Sequence, residues 1–391
     1  MSTSRIPAVP IFMGLLWIQI IGQGLVLAKE LPPVPEPLGI PRPGPTNSSP
    51  YAPQPILPGG VVIPLYPQGS PMLNPHRVHE AEKYMLNSAV PGRINSIVNI
   101  HNPSIEVHLV DPSLNKGTVV ILAAGGGHNS LNVGTEAADF VPYFYNFGIN
   151  TVILRNRLRK DGYVAEVDAV NDALQAIRMV RAHAVQWHLD PARIGIAGFS
   201  AGAELSAPAA LLYPEFDRIH SAASDPYRGI PSRPDFVIIV YPGPTPFARQ
   251  PRPVIPRDVP PAFVTSPGPG DRSHAWWALQ YYGAMIEDGV PNVELHLYGN
   301  GFHPGSGSTG GLTDRNGTPF GRWQDRLIDW LRDLGFLQPP GIETKAAKDS
   351  AAFQKQDPLK PIGPPRYSTN LPLGSALGSP ASGNPGPSTG K

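Results

Sequence analysis

The sequence predicts an α/β domain built on a mostly parallel sheet with helices on both faces. Strand-like and helix-like segments alternate through the middle of the chain, which is the pattern of strands joined by crossover helices. Several strand segments are continuous β-branched runs of the kind buried on both sides, and glycine-rich turns sit where strands give way to helices.

Taken in order, Ile105 to Val110 and Thr118 to Ala123 read as strands, and the second runs into Gly125-Gly126-Gly127, where neither strand nor helix can continue. A helical pattern over Glu136 to Phe147 leads into the strand Asn150 to Leu154, and Asp168 to Trp187 carries apolar residues at helical spacing. Arg193 to Ala197 is a short strand that meets Gly198-Phe199-Ser200-Ala201-Gly202, and a helix over Ala203 to Leu212 follows. Later strands are expected at Asp235 to Val240, Ala262 to Thr265 and Val293 to Tyr298. Helices are expected over Ser273 to Asp288 and Trp323 to Leu334. No repeat of solenoid length interrupts this series.

The ends differ in composition from the middle. Arg5 precedes the apolar stretch Ile11 to Ala28, and Val26-Leu27-Ala28 offers small residues at the positions an export peptidase reads. Residues 1–28 are therefore expected to be a signal peptide of an exported, periplasmic or extracellular protein, the alternative being an uncleaved membrane anchor. Residues 29–90 are dense in proline and read as an arm or linker, because proline supplies no amide to a helix or central strand. Residues 91–337 form the expected catalytic domain. Residues 338–391, rich in Pro, Gly and Ser, read as a disordered tail.

Composition narrows the chemistry. With 31 basic and 30 acidic residues the chain has no field to gather nucleic acid. It has no cysteine, which removes disulfides, thiolate metal sites and a Cys nucleophile together. No His-x-x-x-His motif and no phosphate loop ending in Gly-Lys-Ser or Gly-Lys-Thr occurs, so neither metal nor cofactor is expected. Arg178 and Arg181, near Asp168 and Asp172, read as a structural ion-pair face.

The residues that point to chemistry are spaced far apart. In Gly198-x-Ser200-x-Gly202 the serine sits on a strand-to-helix turn so sharp that its neighbours need no side chains, and its hydroxyl projects above the sheet. Such a hydroxyl is inert unless a histidine takes its proton and a carboxylate fixes the histidine. His303, in the glycine-rich turn after the last strand, is the expected base. Asp271, in the loop after the strand ending at Thr265, is the expected acid, with Asp225, Asp235 and Asp258 as rivals. His274 opens a helix and His296 lies in a strand, so both read as packing or capping residues. The amides of Gly126 or Gly127, paired with that of Ala201, are expected to receive an oxyanion. His128 is a candidate lining residue or loop surface, and the loop Ser306 to Phe320 a candidate border of the site.

Three stretches, Val119 to His128, Asp168 to Arg181 and Leu189 to Gly202, resemble the secreted esterases and lipases of the α/β-hydrolase superfamily that include acetylxylan esterase-like and feruloyl esterase-like bacterial enzymes. The resemblance covers roughly Val107 to Leu337. It implies hydrolysis of short acyl esters, commonly on polysaccharides, through the serine, acid and histidine above. The chain departs from that group at Ala203 and Glu204, where a glycine and a histidine are usual. It departs again at Pro304-Gly305-Ser306 after the histidine, and at Gly125, which lacks the usual preceding proline. The same three residues would also serve a prolyl-oligopeptidase-type peptidase, and the same fold a silent glycan- or partner-binding protein. The substrate expected is a small-molecule or polysaccharide-linked ester.

Overall fold

The computed structural model describes residues 49–222, 225–249, 251–299, 301–304, 322–357 and 359. The expected signal peptide and the loop Ser306 to Phe320 lie outside them.

Eight strands form one sheet in the order β1-β4-β6-β5-β7-β8-β9-β10. They are β1 (Val61–Pro64), β4 (Ser104–His108), β5 (Val119–Ala123), β6 (Asn150–Arg155), β7 (Ile194–Phe199), β8 (Phe236–Val240), β9 (Ala262–Pro267) and β10 (Val293–Tyr298). The pairings β1/β4 and β4/β6 are antiparallel, and all others from β6 to β10 are parallel. A separate antiparallel hairpin joins β2 (Lys83–Leu86) to β3 (Ile94–Val98).

Strand periodicity explains why the central strands read as unbroken apolar runs. In β5, Val119, Ile121 and Ala123 face one hydrophobic core while Val120 and Leu122 face the other, because successive side chains alternate across a sheet. The first core is closed by α2 (Val170–Ala182), α3 (Ala203–Ile219) and α4 (Arg272–Glu287). The second is closed by α1 (Phe140–Tyr145) and α5 (Trp323–Asp333), whose Trp323, Trp330 and Leu331 are buried. Helices therefore cover both faces.

Two boundaries are corrected. The stretch 49–90, read as a linker, is built into the domain: Tyr51, Ile56, Val62, Leu65, Tyr66, Leu73 and Val78 are buried, and β1 pairs with β4. Proline is tolerated there because β1 is an edge strand and Pro64 is its last residue. The arm's amides are met by a buried acid, Glu106, whose carboxylate accepts from Ile56 N at 2.6 Å and Leu57 N at 3.0 Å while Arg155 pairs with it at 2.8 Å. The expected tail also begins as structure. Arg193 donates to the carbonyls of Gln338, Pro339 and Ile342, and Thr344 caps α6 (Lys345–Gln354), which buries Phe353. Averaged composition hid a short run of good helix formers, Lys345 to Gln354, behind a serviceable N-cap.

The face expected to carry ion pairs does carry them, with different partners. Arg178 pairs with Asp225 and Arg181 with Asp235, both at 3.0 Å, while Asp168 and Asp172 bind Arg157 instead. Asp172 lies six positions before Arg178 in the helical run, so it projects from another face.

Glu106→Ala would leave the buried Arg155 guanidinium with the Gln54 carbonyl and, as carboxylate, Glu82 at 4.0 Å, and would strand two arm amides. We expect a loss of about 3–5 kcal/mol in denaturant unfolding; a loss below about 1 kcal/mol would show that the arm does not depend on this acid.

Candidate active site

The carboxyl ends of β5, β7, β8, β9 and β10 lie along one edge of the sheet, as their parallel register requires. Each singled-out side chain follows one of those ends, where open α/β sheets place their ligands.

β7 stops at Phe199, and Ser200 opens a single 3₁₀ turn from which α3 continues. Ser200 has φ +52, a left-handed conformation that costs energy for a residue with a side chain. The turn closes so tightly that a Cβ at Gly198 would overlap the Gly202 carbonyl, and one at Gly202 the Ala123 carbonyl. Phe199 anchors it in the core beside Phe140, with ring centroids 4.9 Å apart.

β9 ends at Pro267, and the chain turns back through Gly268, whose amide donates to Tyr298 O at 2.7 Å. It reaches Asp271 immediately before α4. An aspartate there ordinarily caps the helix; this one caps no amide. The acid loop and the histidine loop are joined by a parallel bridge between Gly270 and Phe302, which extends the β9/β10 pairing past the strand ends.

The structure brings Ser200, His303 and Asp271 into one hydrogen-bonded chain. His303 Nε2 lies 3.0 Å from Ser200 Oγ, and His303 Nδ1 lies 2.8 Å from Asp271 Oδ2. A carboxylate can only accept, so Nδ1 holds the ring proton and Nε2 is left to accept from the hydroxyl. That arrangement can convert the serine into a nucleophile.

Sequence reasoning missed His274. Its Nδ1 donates to the other oxygen, Asp271 Oδ1, and its ring stacks on His303 with centroids 3.9 Å apart and planes 12° from parallel. The signal was the i,i+3 spacing from Asp271 into a helix start, which sets two side chains on one face. Burial alone would raise the Asp271 carboxyl, but the two imidazole hydrogen bonds outweigh it and hold the group below the usual carboxylate range. The three side chains also form a potential metal-ligand set, with ligand atoms within 4.8 Å of one another. Imidazole lone pairs lie in the ring plane, however, so two nearly parallel rings do not converge on one ion without rotating.

After β5 the glycine loop carries positive φ at Gly126 (+128), Gly127 (+62) and His128 (+58). A Cβ on Gly126 would overlap the Ser130 carbonyl. Among the described residues the amides of Gly126 and Gly127 donate to no group. Gly125 packs against Ser200, since a Cβ there would lie 2.9 Å from that of the serine. His128 is buried, its Nε2 3.4 Å from Glu204 Oε2, and so is not loop surface.

The rival acids are engaged elsewhere. Asp235 accepts from Ile194 N and Arg181 at the opposite sheet edge, Asp225 pairs with Arg178, and Asp258 meets Tyr213 and Arg233. His296 packs on Phe263 and contacts Glu294. Among the described residues no helix is long and apolar enough to cross a membrane.

Residues 105–238 match the family model described as BD-FAE. An acetylxylan esterase from Xylanibacter ruminicola is 27% identical over 163 residues, which are 41% of this chain; the chain spans only 28% of that relative's length. The fold is similar to that of an acetyl ester-xyloside bifunctional hydrolase from Caldicellulosiruptor lactoaceticus, with TM-score 0.55, 23% identity, and 72% of this chain and 98% of the other covered. It is also similar to esterase 2 from Thermogutta terrifontis, with TM-score 0.51, 19% identity, and 73% and 98% covered.

Because its value is lowered on folding, the Asp271 carboxyl contributes stability that is present above the ordinary carboxylate range and lost as pH falls through the lowered value. His274→Ala removes one of the two hydrogen bonds and moves that value upward. We expect the acid limb of Ser200 phosphonylation by a fluorophosphonate to shift to higher pH in the variant, with the rate at pH 8 lowered roughly 10-fold. An acid limb and rate equal to those of wild type would show that His274 merely packs.

Proposed function

We propose that this chain, whose fold is that of the α/β-hydrolase superfamily, is a serine carboxylic-ester hydrolase acting on short acyl esters, with acetyl groups on polysaccharides the favoured class. The observation that carries the reading is the continuous contact from Ser200 Oγ through His303 to Asp271 at the carboxyl edge of the sheet.

In this mechanism Ser200 Oγ attacks the ester carbonyl as His303 Nε2 accepts its proton. Negative charge then develops on the carbonyl oxygen, and the amides of Gly126 or Gly127 together with that of Ala201 receive it. Fixed backbone donors are effective here because they need no reorganisation as the charge appears. His303 next protonates the departing alkoxide, leaving an acyl-Ser200 ester and free alcohol. Water, deprotonated by the same nitrogen, attacks that ester, and Ser200 recovers its proton as the carboxylic acid leaves. Asp271 fixes the tautomer and stabilises the imidazolium throughout without itself taking the proton. No metal or cofactor is required by these steps.

Acetyl-ester chemistry is favoured by the names of the relatives, an acetylxylan esterase and an acetyl ester-xyloside bifunctional hydrolase. Export through residues 1–28 would place such an enzyme among extracellular glycans.

The test compares wild type and Ser200→Ala on nitrophenyl acetate, acetylated xylan and a peptide nitroanilide. We expect ester hydrolysis by wild type, a fall on the order of 10⁴-fold or more in the variant, and little turnover of the amide. Equal rates for the two proteins would remove the proposal, and preference for the amide would replace it with a peptidase.

A further inference from the structure

Glu136 is an acid that the mechanism above leaves unused, and its position is unusual. It lies in a single π-helical turn, residues 134–138, ahead of α1, and is buried to 3% exposure. One carboxylate oxygen accepts the Gly125 amide at 2.7 Å, and the other accepts the Tyr241 hydroxyl at 2.9 Å. Both partners touch the reaction centre. Gly125 begins the glycine loop and is wedged against Ser200 and Phe199: a Cβ there would lie 2.5 Å from the Phe199 carbonyl oxygen. Tyr241 follows β8 with φ +35 and presents its ring edge-to-face to His303, centroids 5.1 Å apart.

We propose that Glu136 is a positioning residue for ester hydrolysis, its buried carboxylate fixing the oxyanion loop at Gly125 and, through Tyr241, the orientation of the His303 ring. The inference rests on the esterase reading above. Gly125 is held from both sides, since its carbonyl accepts from Asn132 N at 2.9 Å while Asn132 O accepts from Glu136 N at 3.2 Å. Loop and carboxylate thus form one closed circuit. Loop amides displaced by a fraction of an ångström meet the oxyanion badly, whereas substrate binding before charge develops is little changed.

The structure bears the cost of keeping this group. Burial pushes the Glu136 carboxyl up to about 7, against the hydrogen bonds from Tyr241 and Gly125 and the electrostatic influence of the nearby His303 ring. β3 and β5, packed against this turn, bring no ionisable side chain and α1 brings only Tyr143 and Tyr145, so among the described residues Tyr241 and His303 are the titratable groups that act on the carboxyl. A position that needed only volume would not retain an acid in such surroundings.

The experiment measures kcat and KM for nitrophenyl acetate, with thermal unfolding, for wild type, Glu136→Met, Glu136→Gln and Tyr241→Phe. Glu136→Met roughly keeps the volume and removes both carboxylate oxygens, leaving only a weakly accepting thioether; we expect kcat to fall roughly 10- to 100-fold with KM within about 3-fold. Glu136→Gln recovers most of the loss, because its amide oxygen can still accept from Gly125 and the Tyr241 hydroxyl can reverse to accept from its NH₂. Tyr241→Phe tests the second arm whether or not Glu136→Met folds, and is expected to lower kcat several-fold at constant KM. Folded variants with wild-type kcat, or losses that fall on KM instead, overturn the inference while an active wild type leaves the esterase reading standing. An inactive wild type overturns both.

Discussion

The two oxygens of Asp271 are the point on which this site turns. One holds His303 in the tautomer that leaves Nε2 facing Ser200, and the other is taken by His274, whose ring lies flat against the first. A carboxylate with both oxygens engaged cannot swing away to cap its own helix, although it stands at the residue where capping is usual. The direction of its hydrogen bonds is therefore set by the histidines. From that fixed acid the His303 ring is oriented, and in the proposed mechanism the oriented ring is what makes the Ser200 hydroxyl reactive.

Everything that brings Asp271 to its place is ordinary sheet physics. Parallel register aligns the ends of β7, β8, β9 and β10, so loops more than a hundred residues apart in the chain, at Ser200 and His303, open side by side. Cores on both faces hold those strands, with Phe199 packed among Phe140, Trp323 and Tyr241 immediately before Ser200. The positive φ of Ser200 persists because close-packed surroundings over-determine it.

The sheet, and the serine, histidine and aspartate that its loops bring together, were legible because each left a local mark in the chain. Ser200 announced itself through two glycines that sterics make obligatory, and β5 to β9 through runs buried on both faces. What could not be read was decided by distant partners. The proline-rich stretch around Ile56 is ordered by Glu106 and Arg155, some fifty and a hundred residues later. Nothing local to Gln54 or Ile56 signals that its backbone groups will be satisfied. α6 was lost in the average composition of a long tail. His274 and Glu136 are a third kind of case: each reads as an ordinary helix-start residue, and only the meeting of separate loops shows what it touches. Polar residues that act through a second residue carry no motif of their own, since their spacing is spatial.

If the relay from Asp271 works as its geometry implies, a single side chain of this protein becomes covalently modified during turnover. The most direct measurement is mass spectrometry of protein quenched with acid within milliseconds of mixing with nitrophenyl acetate. The predicted result is one acetyl group on the peptide containing Ser200, sharply reduced in Asp271→Asn, whose amide would leave His303 in the wrong tautomer. Acetylation elsewhere in the chain, or an equal amount on Ser200 in both proteins, would contradict a role for the hydrogen bond between His303 and Asp271 in making Ser200 nucleophilic.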